Sequence, residues 1–292
     1  MPVNRKQRQL SLYVKGFPGE LGWEICNYVP YVNYVVRQKP YRKVVVCCRP
    51  DRQSLYPFAT HYRSSSMPTD KGVVGNSGPR GPIFQKEALG DRKIVQKMTK
   101  NGWKVTVVHP FTDRASNVRG RRRMFFWSKK RAPFKYTPSQ EGVEKWKEII
   151  PDNAIALCIR NRNHKRKKNW TIKHCLDLSK RLIKFGYVPV FLGLPVNGFK
   201  PPKPSVNLLG KTDMSDLIAV FSMVNLVVGQ STGIMHLASH CGAPHVVWGS
   251  KRIKKRYLST WNPLGTPAKF IAQANWSPTN VSIMTAIKEM LS

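Results

Sequence analysis

Apolar and polar positions along the first half of the chain predict alternating strands and helices. A short strand at "LSLYVKG" is followed by a Gly-rich turn and an apolar, helix-like stretch from about residue 23 to residue 37. "KVVVCC", residues 43–48, is a continuous apolar run of the kind that buried parallel strands show. A helix near residues 91–101 and a strand at "KVTVVHP" follow. Residues 63–82 are rich in Ser, Gly and Pro and predict a long loop.

The second half alternates more regularly from residue 153 onward. The predicted order is strand "AIALCIR", helix "TIKHCLDLSKRLIKFG", strands "VPVFLG" and "VNLLG", helix "MSDLIAVFSMV", strand "LVVG", helix "GIMHLASHCG" and strand "HVVWG". Strands that alternate with helices of this length are typical of a doubly wound parallel sheet. Regularity fades over residues 112–138, and a helix at about residues 140–150 is predicted to lead into the second half. We therefore predict an α/β protein with two Rossmann-like domains, residues 1–138 and 139–292, facing a central cleft.

Composition supports folded domains and adds an unusual charge. The chain has 292 residues, of which 41% are hydrophobic, and this excludes a wholly disordered polybasic protein. Lys and Arg number 50 against 15 Asp and Glu, which gives a formal net charge of +35. Solubility alone needs a net charge of only about 2–8. The excess predicts a polyanionic partner, namely nucleic acid, an anionic glycolipid or a membrane surface, although a merely soluble basic surface is the alternative.

The cysteines and the apolar runs bear on location. The six cysteines lie in apolar segments and lack the spacing of zinc sites, so we predict reduced core residues, a cytoplasmic protein and no metal. The basic start "MPVNRKQRQLSLYVKG" has no long apolar region, and no apolar stretch reaches 18 residues. We therefore expect neither a signal peptide nor a membrane span.

The run "VVGQSTGIMHLASHCGAPHVVWG", residues 227–249, predicts an anion site. A helix that begins near Ser231 at the carboxyl end of a strand would offer unpaired N–H groups, its positive dipole end and the hydroxyls of Ser231 and Thr232. Gly233 would let a ligand approach closely, and His236 lies one turn further on. The alternative is that Ser and Thr only cap the helix.

A longer segment carries a family resemblance. "NLLGKTDMSDLIAVFSMVNLVVGQSTGIMHLASHCGAPHVVWG" resembles the donor-binding segment of heptosyltransferase-like glycosyltransferases of the GT-B fold, and the similarity spans roughly residues 153–250. The resemblance implies a sugar nucleotide whose diphosphate lies at Ser231, Thr232 and Gly233. It also implies that no metal or other cofactor is needed. Gln230 stands where the family usually has Asp, which leaves the contact of this residue open.

Basic side chains just before the predicted helix "TIKHCLDLSKRLIKFG" are candidates for binding the same diphosphate. They are Arg160, Arg162 and Lys168 in "CIRNRNHKRKKNW", and Arg160 is nearest the strand end. A solvated basic loop is the alternative for most of this run.

The acceptor side is predicted at "GFPGELGWEICNYVP". The family has a Gly-Asp at a fixed spacing before a Pro, and the resemblance implies that this Asp acts as the general base. Glu24 has the spacing to Pro30 without the Gly, whereas Glu20 follows Gly19 without the spacing. An inverting transfer needs one group to take the proton of the acceptor hydroxyl, and either carboxylate could do so. Both could instead only complement the helix dipole. The nearby glycines that would admit a substrate are Gly16, Gly19 and Gly22.

Three basic clusters, in or beside predicted loops, suggest the acceptor. They are "RGRRRMFFWSKKR" (119–131), "RNRNHKRKKNW" (160–170) and "KRIKKR" (251–256). The residues assigned to nucleic-acid binding are Arg119, Arg121, Arg122, Arg123, Lys129, Lys130, Arg131, Lys251, Arg252, Lys254, Lys255 and Arg256. Double-stranded DNA presents a charge about every 1.7 Å, which long tracks of cations match.

Charge and resemblance together lead to one functional hypothesis and two alternatives. The hypothesis is an inverting, metal-independent, monomeric glycosyltransferase that transfers glucose from UDP-glucose to 5-hydroxymethylcytosine in DNA, as GT-B enzymes of phages do. The first alternative is a transferase for a phosphorylated glycolipid or lipopolysaccharide acceptor. The second is a non-catalytic GT-B scaffold that binds nucleic acid.

Overall fold

The chain forms two compact units. A computed structural model describes residues 9–65, 82–110, 130–161, 169–273 and 276–292. The units are Met1–Pro133 and Phe134–Ser292, so the division falls shortly before the boundary at residue 138 expected from the sequence. The reason is local, because the backbone N–H of Tyr136 donates to the carbonyl of His240 at 2.9 Å and joins this segment to the second unit.

The first unit is built on a parallel four-stranded sheet. Its strands are β1 (Leu10–Val14), β2 (Lys43–Cys48), β3 (His61–Ser64) and β4 (Lys104–Val108), in the order β3-β2-β1-β4. Its helical segments are α1 (Leu21–Trp23), a π-helical turn (Glu24–Tyr28), α2 (Val29–Val36), a 3₁₀ helix (Pro50–Leu55) and α3 (Pro82–Lys100). The apolar run of β1 fits a central strand, since Tyr13 is fully buried between Val45 of β2 and Val107 of β4.

Two elements of this unit differ from the sequence-based expectations. β3 falls partly in the predicted loop, because an edge strand of exposed polar residues carries no apolar pattern. α3 begins at Pro82 rather than near residue 91. Pro is tolerated in the first turn of a helix, and the Gly that disfavours the helix interior lies at Gly90.

The second unit is built on a parallel six-stranded sheet. Its strands are β5 (Ala154–Ile159), β6 (Val188–Gly193), β7 (Val206–Asn207), β8 (Leu226–Gln230), β9 (His245–Gly249) and β10 (Ala268–Ala272). Its helices are α4 (Gln140–Trp146), α5 (Ile172–Lys184), α6 (Met214–Met223), α7 (Gly233–Cys241), α8 (Lys251–Leu258) and α9 (Asn280–Leu291). The basic run 251–256, expected in or beside a loop, forms most of α8 and begins directly after Ser250.

The strand order places the site. It runs β10-β9-β8-β5-β6-β7, with every pair parallel. The chain leaves β5 toward β6 on one side and later leaves β8 toward β9 on the other. The order therefore reverses between β5 and β8. In open α/β sheets a ligand binds outside the carboxyl ends of the strands at such a reversal.

An apolar core holds this sheet rigid. Its fully buried members include Leu157, Phe191 and Trp248 from the strands and Leu178 from α5, with Ile283 from α9 packed against them. Each such side chain contributes about 1.5–3 kcal/mol when it is buried. The fold is thus α/β with two parallel-sheet domains, as predicted. Among the described residues, no helix is both long and apolar enough to cross a bilayer.

Candidate active site

The end of β8 and the start of α7 form the centre of the candidate site. Cys158 of β5 pairs with Gly229 of β8, so the residues that follow these two strands emerge side by side at the reversal point. The loop is held in place because Ser231 N–H donates to the carbonyl of Trp248 at 2.9 Å. Ser231 and Thr232 are both partly exposed.

The first turn of α7 lacks a side-chain cap. Thr232 is its N-cap residue, with extended backbone angles of φ −138° and ψ 174°, and its side chain makes no capping hydrogen bond. The N-cap residues of α4, α5 and α9, which are Ser139, Thr171 and Thr279, each accept a hydrogen bond from the first turn of their helix. Ser250 of α8, like Thr232, makes none. The side chain of Thr232 therefore does not cap α7, as the alternative to an anion site would require. The uncapped N–H groups and the helix dipole can receive an anion.

Gln230 supports the site from below. Its side chain is 1% exposed, and its Oε1 accepts the backbone N–H of Trp170 at 3.1 Å. The sequence assigned Gln230 to the donor. In the structure this hydrogen bond holds Trp170, just before α5, against the end of β8.

Arg160 lies at the position expected from its place after β5. It is partly exposed, and its guanidinium donates to Oδ1 of Asn169. This contact joins the residue that follows β5 to Asn169, shortly before α5. Arg162 and Lys168, the other two predicted cations of this loop, lie outside the described residues.

His236 does not reach outward from α7. It is 6% exposed, and its ring lies 5.0 Å from the rings of both Tyr257 and Trp261. Burial lowers the pKa of His236 to about 3, so the ring is neutral at ordinary pH. The sequence placed His236 next to the phosphate oxygens, whereas the structure places it in aromatic packing beneath the helix start.

Glu24 is a buried ion-pair partner in the first unit. It is 2% exposed, its Oε2 accepts from the guanidinium of Arg52, and its Oε1 accepts from the hydroxyl of Tyr56 at 2.7 Å. Burial of Arg52 disfavours its charged form, but the carboxylate of Glu24 outweighs this effect and raises the pKa of Arg52. Sequence reasoning missed Arg52 and Tyr56, because nothing in "RPDRQSLYPF" indicates which carboxylate they meet.

Glu20 has the more open position. It is the N-cap residue of α1, with φ −66° and ψ 142°, and it is partly exposed. Its carbonyl accepts the N–H groups of Trp23 and Glu24, while its side chain makes no capping hydrogen bond. A carboxylate at this place lies at the positive end of the helical segment.

The three nearby glycines differ in their surroundings. Gly16 is buried, and a Cβ there would lie 3.0 Å from Oγ of Ser65 and 3.5 Å from the carbonyl of Cys47. A larger residue at Gly16 would therefore press on Ser65 of the protein itself. Gly19 is buried and Gly22 is partly exposed.

A cluster with metal-ligand chemistry lies on the first sheet. Ligand atoms of Cys47, Glu87 and Asp91 lie within 4.8 Å of one another. The guanidinium of Arg63 is 2.6 Å from Oδ1 of Asp91 and 3.4 Å from Oε2 of Glu87, and the hydroxyl of Tyr13 also donates to Asp91. The fixed charges of Arg63 and of Lys15, whose Nζ lies 4.0 Å from Oδ2 of Asp91, compensate the two carboxylates. The cluster is an ion-pair network that packs α3 onto the sheet.

The predicted nucleic-acid contacts are only partly described. Arg119, Arg121, Arg122, Arg123 and Lys129 lie outside the described residues. Lys130 is exposed, and Arg131 is partly exposed, with burial lowering its pKa. The remaining predicted contacts, Lys251, Arg252, Lys254, Lys255 and Arg256, are exposed on α8.

Comparison with known proteins finds a family similarity in part of the chain, most of it in the second unit. Residues 127–255 match the model of glycosyltransferase family 9 (heptosyltransferase), and this segment includes β5, β8 and the start of α7. No curated protein matches the chain. The match supports glycosyltransferase activity.

Solved structures share the fold of the whole chain. The glycosyl transferase family 9 protein of Veillonella parvula has a TM-score of 0.65 at 13% identity, covering 98% of each chain. The ADP-heptose LPS heptosyltransferase II of E. coli has a TM-score of 0.60 at 14% identity, covering 97% of this chain and 98% of that one. The UDP-GlcNAc 2-epimerase of Methanocaldococcus jannaschii has a TM-score of 0.52 at 11% identity, covering 97% and 93%. One fold thus serves both transferases and an epimerase.

Proposed function

We propose that the chain is an inverting glycosyltransferase that transfers a sugar from a nucleoside diphosphate sugar to a phosphorylated glycolipid acceptor. The observation that carries this proposal is the uncapped start of α7 at the reversal point of the second sheet, inside the segment that matches glycosyltransferase family 9.

The second unit holds the donor. The N–H groups of the first turn of α7 and the hydroxyls of Ser231 and Thr232 bind the diphosphate, and Arg160 adds a full positive charge. During transfer, the bond between the anomeric carbon and the diphosphate oxygen breaks, and negative charge builds on that oxygen. A helix N-terminus carries about half of an elementary charge, which stabilises the leaving group without a bound metal.

The first unit supplies the base. The acceptor hydroxyl oxygen forms the new bond to the anomeric carbon, and its proton passes to a carboxylate. Glu20 fits this role because it is partly exposed. Glu24 fits it poorly, because both of its oxygens accept hydrogen bonds from buried groups and the residue is 2% exposed. The ion pair with Arg52 gives Glu24 a structural role instead.

The donor and acceptor follow the similar proteins. The E. coli structure of this fold is named as an ADP-heptose enzyme acting on lipopolysaccharide, so we propose an ADP-activated heptose and a lipopolysaccharide-type acceptor. Neither the comparisons nor the described contacts support UDP-glucose, 5-hydroxymethylcytosine or a DNA partner. The glycolipid alternative therefore replaces the DNA hypothesis.

The cysteines support a reducing compartment. All six are free thiols, and all six are buried. Burial raises the pKa of Cys48 to about 12 and also raises the pKa of Cys158 and Cys241, so none of the three is a reactive thiolate. We propose a cytoplasmic location on this basis.

The test is transfer with defined donors and acceptors. The purified chain is incubated with ADP-heptose, UDP-glucose or UDP-GlcNAc and with either a phosphorylated lipid core or hydroxymethylated duplex DNA, and the products are weighed by mass spectrometry. We expect the lipid core to gain one heptose. A gain of glucose on DNA would restore the DNA hypothesis, and conversion of UDP-GlcNAc without an acceptor would show an epimerase instead.

A further inference from the structure

Helix α8 presents a basic face to solvent. Its sequence, "KRIKKRYL", has five cations among eight residues and no acidic residue. Tyr257 is fully buried and donates its hydroxyl to the carbonyl of Met235 at 3.2 Å, and Ile253 packs against Gly249. These two side chains fix the inner side of the helix. The exposed side therefore carries Lys251, Arg252, Lys254 and Lys255, while Arg256, which is also exposed, lies 5.0 Å from the ring of Trp261.

The charge of this face is not compensated within the described part of the chain. None of the four cations forms an ion pair there, whereas exposed cations elsewhere do, as Lys147 does with Glu144 and Lys269 does with Glu289. Lys251 and Lys255 are four residues apart on the helix, a spacing at which like charges repel. Lys255 and Arg256 in the last turn complement the helix dipole. The stability of the helix does not explain Lys251, Arg252 and Lys254, and an anionic partner does.

Exposed leucines follow the basic face along the chain and indicate the class of partner. Leu258, the last residue of α8, is 37% exposed, and Leu264 in the following turn is 38% exposed. A duplex of DNA offers phosphates for the lysines but little for aliphatic side chains on a helix end. An anionic lipid surface takes both, because the cations meet headgroups and the leucines enter the acyl boundary.

The position of α8 links this face to the candidate site. Ser250 directly follows β9 and is the N-cap residue of α8, and β9 pairs with β8 through Trp248 and Gln230. The basic face therefore begins at the same sheet edge as the start of α7. A lipid surface held by α8 would lie next to the bound donor.

We propose that α8 and its bordering leucines are a peripheral docking surface for membranes rich in anionic phospholipid. The interaction is peripheral, since it uses one exposed helix face. It goes beyond the proposed function, because docking on lipid requires neither donor nor transfer chemistry.

The decisive variant removes three charges from α8. The protein carries Lys251→Gln, Lys254→Gln and Lys255→Gln, and binding is measured by sedimentation with vesicles of phosphatidylcholine and phosphatidylglycerol. Each lysine near an anionic surface contributes about 1 kcal/mol, so affinity should fall about 100-fold at low salt. Thermal melting of the variant checks that the fold is retained.

The matched control removes three charges from α5. Lys173, Lys180 and Lys184 are exposed, and their change to Gln gives the same net charge. We expect this control to lower vesicle affinity by less than about threefold, because charges away from the contact are screened within about 10 Å. Equal losses in both triple variants would overturn the proposal, since net charge alone would then explain binding.

A second variant separates lipid from other polyanions. Leu258→Ser with Leu264→Ser should weaken vesicle binding at high salt as well as at low salt, because apolar insertion is not screened. Unchanged vesicle binding in this variant, or a loss of duplex DNA binding on removal of the α8 lysines with vesicle binding intact, would overturn the lipid assignment. The two proposals can fail separately. Transfer to a detergent-solubilised acceptor without vesicle binding would overturn the docking surface. Vesicle binding without transfer to any acceptor would overturn the enzymatic function.

Discussion

The hydroxyl of Tyr56 donates to Oε1 of Glu24 across 2.7 Å, in a place where Glu24 is 2% exposed. The guanidinium of Arg52, itself 7% exposed, occupies the other oxygen. Glu24 begins the π-helical turn that connects α1 to α2, while Arg52 and Tyr56 lie after β2. The ion pair therefore ties the turn near Glu20 to the sheet, and this role requires the negative charge of Glu24 rather than its basicity.

Glu24→Gln should destabilise the first unit. The change leaves the guanidinium of Arg52 buried without its carboxylate, which costs about 3–5 kcal/mol of unfolding free energy when one partner of a buried pair is removed. Urea unfolding followed by circular dichroism measures this. The double variant Glu24→Gln with Arg52→Met should be less destabilised than the sum of the two single variants. Full additivity would show that the two side chains do not interact energetically.

Glu20→Gln should remove activity without removing stability. The amide keeps the size of the side chain but cannot take the acceptor proton, so kcat should fall by about 100-fold or more. Donor affinity from calorimetry and the urea midpoint should stay the same, because Glu20 is partly exposed and belongs to the other unit. If Glu20→Gln is active and Glu24→Gln is inactive while still folded, Glu24 is the base after all.

Gly233→Val should weaken donor binding. α7 begins at Gly233, and a branched side chain there would stand between the first-turn N–H groups and the diphosphate. We expect nucleotide-sugar affinity to fall at least tenfold, which corresponds to about 1.4 kcal/mol. Calorimetric titration measures the affinity, and thermal melting of the variant checks that the fold is retained. Unchanged donor affinity in the α7 variant would place the diphosphate elsewhere.

Strong periodicity made most of the second unit predictable. β5 and β9 are buried along their whole length, so their apolar runs mark them without ambiguity, and α5 shows a clear apolar side. β10 and α9 were not predicted, although both belong to the sheet and its cover. β10 is an edge strand with partly exposed positions, and such strands lack a clear alternation.

The site was predictable only where chemistry follows backbone position. Ser231, Thr232 and Gly233 follow directly from a strand that ends at a helix start. The burial of Gln230 and His236 could not be predicted in this way. Gln230 is covered through its contact with Trp170 and His236 through its contact with Trp261, and both tryptophans are distant in the sequence. The pairing of Glu24 with Arg52 likewise spans 28 residues, and local pattern carries no information on it.

Transfer should not depend on an added metal ion. The uncapped start of α7 and the cation of Arg160 supply the positive charge that the leaving diphosphate needs. Activity measured after dialysis against excess chelator should therefore equal that of untreated protein. A loss of activity that Mg²⁺ restores and Ca²⁺ or salt does not would contradict the helix-dipole account. The unfolding midpoint in chelator distinguishes loss of catalysis from loss of fold.

Three buried histidines around the packing of α7 predict a pH limit on stability. His236, His240 and His245 are 6%, 1% and 0% exposed. Burial lowers the pKa of His236 to about 3 and the pKa values of His240 and His245 to about 4, from an ordinary value of 6.5. Below pH 6.5 the unfolded chain therefore binds more protons than the folded one. The contribution of these three histidines to the free energy of unfolding is therefore fully present above pH 6.5 and is lost as the pH falls toward 4.

The unfolding free energy should fall by about 4 kcal/mol between pH 7.5 and about pH 5.5, because one unit below the unfolded pKa costs about 1.4 kcal/mol for each of the three histidines. Urea midpoints across this range measure the slope. His240→Gln should reduce the slope by about one third, whereas His174→Gln, at an exposed position on α5, should leave it unchanged. A flat profile between these pH values in the unaltered protein would mean that the three rings can take up protons within the fold.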